Sequence, residues 1–237
     1  MSIATELLPS TETLSQPLRK LREFCFPNGE DAALSIKGAR LNERGQMRTS
    51  ADARWIPFVA EQTICSNRSN FYWEAKLDPG KPTSVTLVDA FQEGRGALSV
   101  MSTSDGIRRE QHGGELDIGE LQRYLASIFL CPPILLNHKT LKWTEICSYG
   151  LRIQDAESSD RAAIEFDLAE DGKPLLCRAN RPRLAGHEAI FTPWYGTYSD
   201  FHEFAGFRIP TRLEAFWMLP SGPFCYYQSE ITTVDWR

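Results

Sequence analysis

Four polar side chains stand where the alternation of this sequence calls for apolar ones: Gln62, Asp89, Glu145 and Gln228. Gln62 shares its face with Ile56, Phe58, Ala60 and Ile64, and Asp89 shares one with Val85, Leu87 and Phe91. Burying an amide or carboxylate without a partner costs a few kcal/mol, so each needs an explanation. One reading gives them a ligand: Phe71, Trp73 and Trp143 line an apolar wall, and Gln62, Asp89, Glu145 and Gln228 orient the guest's polar end. The alternative has them pairing with one another, with arginines, or with water at strand ends, because registers drawn from sequence slip easily.

A second chemistry open to the same residues is acid/base catalysis. Asp89 or Glu145, with Glu61 or Glu230 as further carboxylates, could serve a hydrolase or isomerase. Nucleophile chemistry finds less: there is no Gly-x-Ser-x-Gly elbow and no HExxH, and Gly94-Arg95-Gly96 and Gly113-Gly114 read as turns rather than phosphate loops. His202-Glu203 is a weak candidate in an aromatic segment, Phe191 to Phe207, that reads as a loop and could pack on another molecule. Glu115, Asp117 and Glu120 form the densest acidic group, and helix capping accounts for Asp117 and Glu120 without chemistry.

Composition limits the partners. The 237 residues carry a net charge of −5, which offers no positive field to a phosphate backbone, so no nucleic-acid partner is expected. Arg178, Arg181 and Arg183 around Pro182 read as solvated strand-end or loop charges, an anion site being the rival reading. Six cysteines without a CxxC pair and four scattered histidines point to core thiols, no metal and no cofactor. No secretory signal and no apolar run near the roughly 18 residues of a membrane span are found, so a cytoplasmic location is expected.

The elements that must hold these residues are mostly strands. A helix from Ser15 to Phe24, with Pro17 in its first turn, precedes a meander: Leu34 to Lys37, a turn at Gly45, then strands at Trp55 to Cys65, Phe71 to Leu77, Val85 to Phe91 and Leu98 to Met101. The main helix is predicted over Ile118 to Leu130, capped by Asp117 with Glu120 completing a capping box and stopped by Pro132-Pro133. Strands resume at Lys142 to Tyr149, Arg161 to Leu168 and Pro174 to Ala179 across an Asp171-Gly172 turn, and at Ile209 to Leu219 and Phe224 to Val234. The aromatic positions Trp55, Trp73, Trp143, Trp194 and Trp217 exceed what a thin two-layer core requires, which favours an apolar pocket.

Several short patterns, read in order, resemble an uncharacterised bacterial family, the domain of unknown function numbered six-five-four-four. They are Gly45-Gln46-Met47-Arg48, Trp55 to Gln62, Phe71-Tyr72-Trp73-Glu74-Ala75, Gly94-Arg95-Gly96, and Gly114-Glu115-Leu116 leading to Leu121 to Leu125. The resemblance implies a half-open antiparallel barrel around helices, similar to lipoprotein carriers of the LolA and LppX type, which hold acyl chains. It supplies no catalytic residues, and without a signal or a lipidation cysteine near the start the carrier role is not expected to transfer.

The expected protein is therefore α+β but mostly β: a strongly curved antiparallel sheet, a half-barrel, covering one long and one or two shorter helices. Residues 1–13 are expected to be a flexible segment and 14–237 a single domain. Its expected role is to bind a hydrophobic or lipid-like small molecule, with the oligomeric state open.

Overall fold

A computed structural model describes residues 14–81, 84–102, 106–185 and 188–237, so the expected segment 1–13 lies outside the described residues. Thirteen strands form one sheet in the order β6-β5-β4-β3-β2-β1-β13-β12-β11-β10-β9-β8-β7. The strands are β1 (Gly38–Met47), β2 (Ile56–Cys65), β3 (Phe71–Leu77), β4 (Val85–Gln92), β5 (Arg95–Ser102), β6 (Arg108–His112), β7 (Leu141–Cys147), β8 (Gly150–Asp155), β9 (Ile164–Leu168), β10 (Pro174–Ala185), β11 (Glu188–Phe204), β12 (Phe207–Leu219) and β13 (Gly222–Trp236). Every pairing is antiparallel, and the sheet is two meanders joined where β13 returns beside β1. It is an open sheet with free edges at β6 and β7, not a closed barrel. The mostly β chain with helices on one antiparallel sheet is as the alternation implied.

Three helices accompany it: α1 (Gln16–Cys25), α2 (Glu115–Ala126) and the short α3 (Ile134–Asn137). The first follows its expected stripe, with Leu18, Leu21 and Cys25 buried and Pro17 in the first turn. The second packs on β4, β5 and β6 and also on β9 and β10. It starts three residues earlier than predicted and ends at Ala126, after which the chain continues as a 3-10 turn, Ile128–Leu130. The expected Asp117 cap does not form. Gly113 and Gly114, both at positive φ, bring the chain into the helix, and the Asp117 carboxylate accepts the Gly96 N–H at 2.7 Å instead. Gly96 must be glycine, since a Cβ there would lie 2.6 Å from the Leu116 carbonyl oxygen.

Three further expectations are corrected. Leu34 to Lys37 is no strand: four residues of alternation are too few to set one, and Asp31–Ser35 closes a 3-10 turn. Gly45 does not turn the chain but lies inside β1, where a side chain would meet the Phe58 ring at 2.6 Å. The aromatic segment 191–207 is mostly strand, with Thr192, Trp194, Gly196 and Tyr198 buried in strict alternation along β11. Gly, Pro, Ser and Asp residues concealed that period.

Candidate functional site

The register places three of the singled-out residues in one row. Gln62 on β2 pairs across to Trp73 on β3, and Trp73 to Asp89 on β4. Leu41 extends the row on β1 and Leu98 on β5. Two of these three neighbouring strands, β2 and β4, thus carry a polar exception to the apolar rule at one height, with Trp73 between them. Opposite the row lies α2, and between them is a cavity of about 440 Å³ lined by Gln62, Trp73, Asp89 and Leu98 from the sheet and by Glu120 and Arg123 from the helix. The far wall comes from β10, β11, β12 and β13, with Arg181, Trp194, Leu213 and Trp217 among its residues. Most of the lining is apolar, and the volume falls within the range of small-molecule sites.

The polar groups around this space differ in how well they are matched. Arg123 reaches from α2 to ion-pair with Asp89, and its guanidinium stacks 4.4 Å above the Trp73 ring and 5.4 Å from Phe71. Burial pulls Arg123 below its ordinary value, which for an arginine still leaves the charge in place. Behind Trp73, the buried carboxylate of Glu43 accepts the indole N–H and, at 2.9 Å, the hydroxyl of Tyr227, whose pKa burial holds well above its ordinary value. Trp194 donates to the Tyr226 hydroxyl at 3.0 Å, and Tyr198 to the Ala126 carbonyl at 2.7 Å.

Four residues that line the cavity each carry a buried atom without a hydrogen-bond partner among the described residues: Gln62 Nε2, Glu120 Oε2, Arg181 Nε and Arg183 Nε. Gln62 is only 4% exposed and Glu120 only 6%. Burial pushes the Glu120 carboxyl up to about 7, although the positive charge of Arg181 works against it. Arg181 is itself held by the Gly119 carbonyl at 2.8 Å and by the Trp194 ring at 4.7 Å.

The remaining candidates lie elsewhere. Phe71 is buried under Arg123 but does not line the cavity. Trp143 is half-buried beside Phe166, their ring centroids 6.3 Å apart. Glu145 pairs with Leu151 but is exposed, because it lies near the end of the edge strand β7, clear of the cavity. Gln228 joins Gln46 and Glu214 in a hydrogen-bonded chain of 2.7 and 2.6 Å, and only Glu214 of these reaches the cavity. Glu120 and Arg123 were not among the ligand candidates, and Arg181 and Arg183 entered only as a rival anion site apart from them. The signal for the first two was a pair of charges on a helix sandwiched between strands, and for the others the two arginines flanking Pro182 on a strand longer than expected.

A larger and more open groove of about 690 Å³ runs over β8 to β12, but its charges are matched: Arg178 pairs with Glu165 at 3.0 Å and Asp167 at 2.5 Å. Among the described residues no three His, Cys, Asp or Glu side chains cluster as a metal site, and no helix is long and apolar enough to cross a membrane. All six cysteines are free.

A family model described as a family of unknown function (DUF6920) matches residues 12–236. No curated protein matches the chain. Among solved structures, a DUF1329 family protein from Desulfovibrio piger is similar at 8% identity with a TM-score of 0.50, covering 94% of each chain, which is a likeness of fold. A LolA superfamily protein from Nitrosomonas europaea aligns over 93% of this chain and 92% of its own, at 13% identity and a TM-score of 0.49.

Proposed function

Because the chain belongs to DUF6920, a family of unknown function, its role has to be read from the site, and we propose that it binds a hydrophobic or lipid-like small molecule in the cavity between α2 and the sheet. The observation that carries this reading is that four of the residues lining one largely apolar space, Gln62, Glu120, Arg181 and Arg183, each hold a buried polar atom without a partner among the described residues. Each unmatched buried group costs about 1–3 kcal/mol, a cost that a guest with matching atoms would offset.

The reading requires the sheet to bend into a half-barrel, and two contacts support that. Strands β4 and β10 both pack on α2, yet they are seven spacings apart in the sheet, about 33 Å if it were flat. Ser69, in the turn between β2 and β3, hydrogen-bonds Asp155 at the end of β8, a similar distance along the strand order. On this reading 14–237 form one domain. Six free cysteines suit the reducing, cytoplasmic setting expected from the sequence.

The rival readings find less support. A hydrolase or isomerase needs a free base, but Asp89 is ion-paired with Arg123 and Glu145 is exposed away from the cavity. An interaction surface built on Trp194 would have to use a ring that is 5% exposed and faces the interior.

The test is binding of N-phenyl-1-naphthylamine, a dye that brightens in apolar sites, together with native mass spectrometry of the purified protein. Dye uptake that a filling substitution, Ala126→Phe, abolishes is the expected result. Absence of uptake together with the bare chain mass would end the proposal.

A further inference from the structure

Resting on the binding function proposed above, we infer that the guest is an amphiphile with an anionic head, a carboxylate or a phosphate, received by Arg181, Arg183 and Gln62 at the α2 cavity. Charge is the first argument. The chain as a whole is acidic, at −5, yet the cavity is lined by four arginines (Arg48, Arg123, Arg181, Arg183) against three acids (Asp89, Glu120, Glu214). The Arg123–Asp89 pair cancels within the wall. Arg48 is anchored elsewhere, donating to the carbonyls of Cys225 at 2.9 Å and Ala51 at 3.0 Å. Arg181 and Arg183 have no carboxylate at ion-pair distance among the described residues.

Donor count is the second. Of the four unpartnered atoms carried by residues lining the cavity, three are N–H donors: Gln62 Nε2, Arg181 Nε and Arg183 Nε. A neutral guest such as an alcohol offers one oxygen, whereas a carboxylate or phosphate offers two or more strong acceptors and a charge to set against two guanidinium groups. Glu120, the one acceptor among the four, does not oppose an anion while its carboxyl is protonated, and burial favours that form. The remaining lining, with Trp73, Leu98, Leu213 and Trp217, gives an alkyl chain its contacts.

The test is displacement of bound N-phenyl-1-naphthylamine by four probes of equal chain length: dodecanoate, dodecyl phosphate, dodecanol and dodecylammonium. At least one anion is expected to compete about tenfold more strongly than the alcohol, with the ammonium weakest. Which anion leads separates a free fatty acid from a phosphate-bearing lipid. The double variant Arg181→Gln/Arg183→Gln should lose that margin while dodecanol competes as before; if it takes up no dye, the wild-type comparison decides. Alcohol competing as well as both anions overturns the anionic head and leaves the apolar guest standing. Failure of the wild type to take up the dye or any probe removes both.

Discussion

Ser69, His138, Thr140 and Asp155 at one end of the sheet, and Gln62, Glu120, Arg181 and Arg183 around α2, are polar groups carried into the interior by neighbouring elements, and the fold treats them oppositely. In the first set the acceptors and donors meet. Ser69 donates to Asp155 and contacts His138 Nε2 at 3.1 Å, Thr140 meets His138 Nδ1 at 3.3 Å, and the Glu157 N–H closes on Asp155 at 3.2 Å. None of the four lines the α2 cavity, and the set is a clasp between the β2–β3 turn and the end of β8. Its serine, histidine and aspartate have the composition of a hydrolytic triad, but the aspartate holds the serine rather than the imidazole, which is the wrong order for proton transfer. In the second set each side chain leaves an atom unpaired beside an empty volume. Residue type alone does not separate structural polarity from functional polarity; the completeness of its hydrogen bonding does.

The largest expected effect tests the unmatched set. Glu120 has its carboxyl raised from 4.5 to about 7 by burial. Between those values the unfolded chain gives up a proton that the native state keeps, so stability is full below about pH 4.5, falls as pH rises to about 7, and stays reduced above it. The shift corresponds to about 3 kcal/mol. Glu120→Gln, which cannot ionise, should recover that amount at about pH 8 and change little at about pH 4, as read from urea denaturation across a pH series. Parallel curves for variant and wild type would place Glu120 among the satisfied groups and erase the contrast.

The clasp predicts the reverse pH dependence, with a smaller mutational effect. Burial lowers His138 to about 4 despite the attraction of Asp155, so it stays neutral in the native state while the unfolded histidine charges. For Asp155, burial alone would raise the carboxyl, but hydrogen bonds led by Ser69 and Thr140 outweigh it and leave the group below its ordinary value. Both shifts give stability that is present near neutrality and lost on acidification, for His138 as pH falls from about 6.5 through about 4. Asp155→Asn, which swaps one acceptor oxygen for a donor, should cost about 2 kcal/mol at neutral pH in the same denaturation assay. A cost under about 0.5 kcal/mol would mean the clasp is ornamental.

The same contrast explains what could be read in advance. Gln62, Trp73 and Asp89 were visible because the sequence alternates along β2, β3 and β4, so a polar exception on β2 and another on β4 mark the same face as Trp73, and short connections keep the strands adjacent. Glu145 keeps its place in the alternation but lies near the exposed end of the edge strand β7, and Gln228 lies in β13, whose pairings with β1 and β12 both carry bulges. Arg181, Arg183 and Glu120 could be named from the sequence as an arginine group and an acidic group, but not joined to the row of Gln62, Trp73 and Asp89. They lie on β10 and α2, and nothing in the local periodicity of 174–204 encodes which strands line a cavity with them.

The smallest prediction is a pair of substitutions with opposite signs. Ser69→Ala removes the hydroxyl that bridges Asp155 and His138 and leaves both short of a partner, which should cost about 1 kcal/mol. Gln62→Leu removes a buried donor that has no acceptor among the described residues and replaces it with a side chain of similar size between Leu41 and Trp73, so it should gain about 1 kcal/mol in the ligand-free protein. The same Gln62→Leu substitution should weaken dodecanoate more than dodecanol, because only the anion uses the lost N–H. A native interior gains stability from losing a polar group only where that group awaits a partner from outside. If both variants lose stability, Gln62 is already matched within the fold, and the cavity row is structure in the same sense as the clasp.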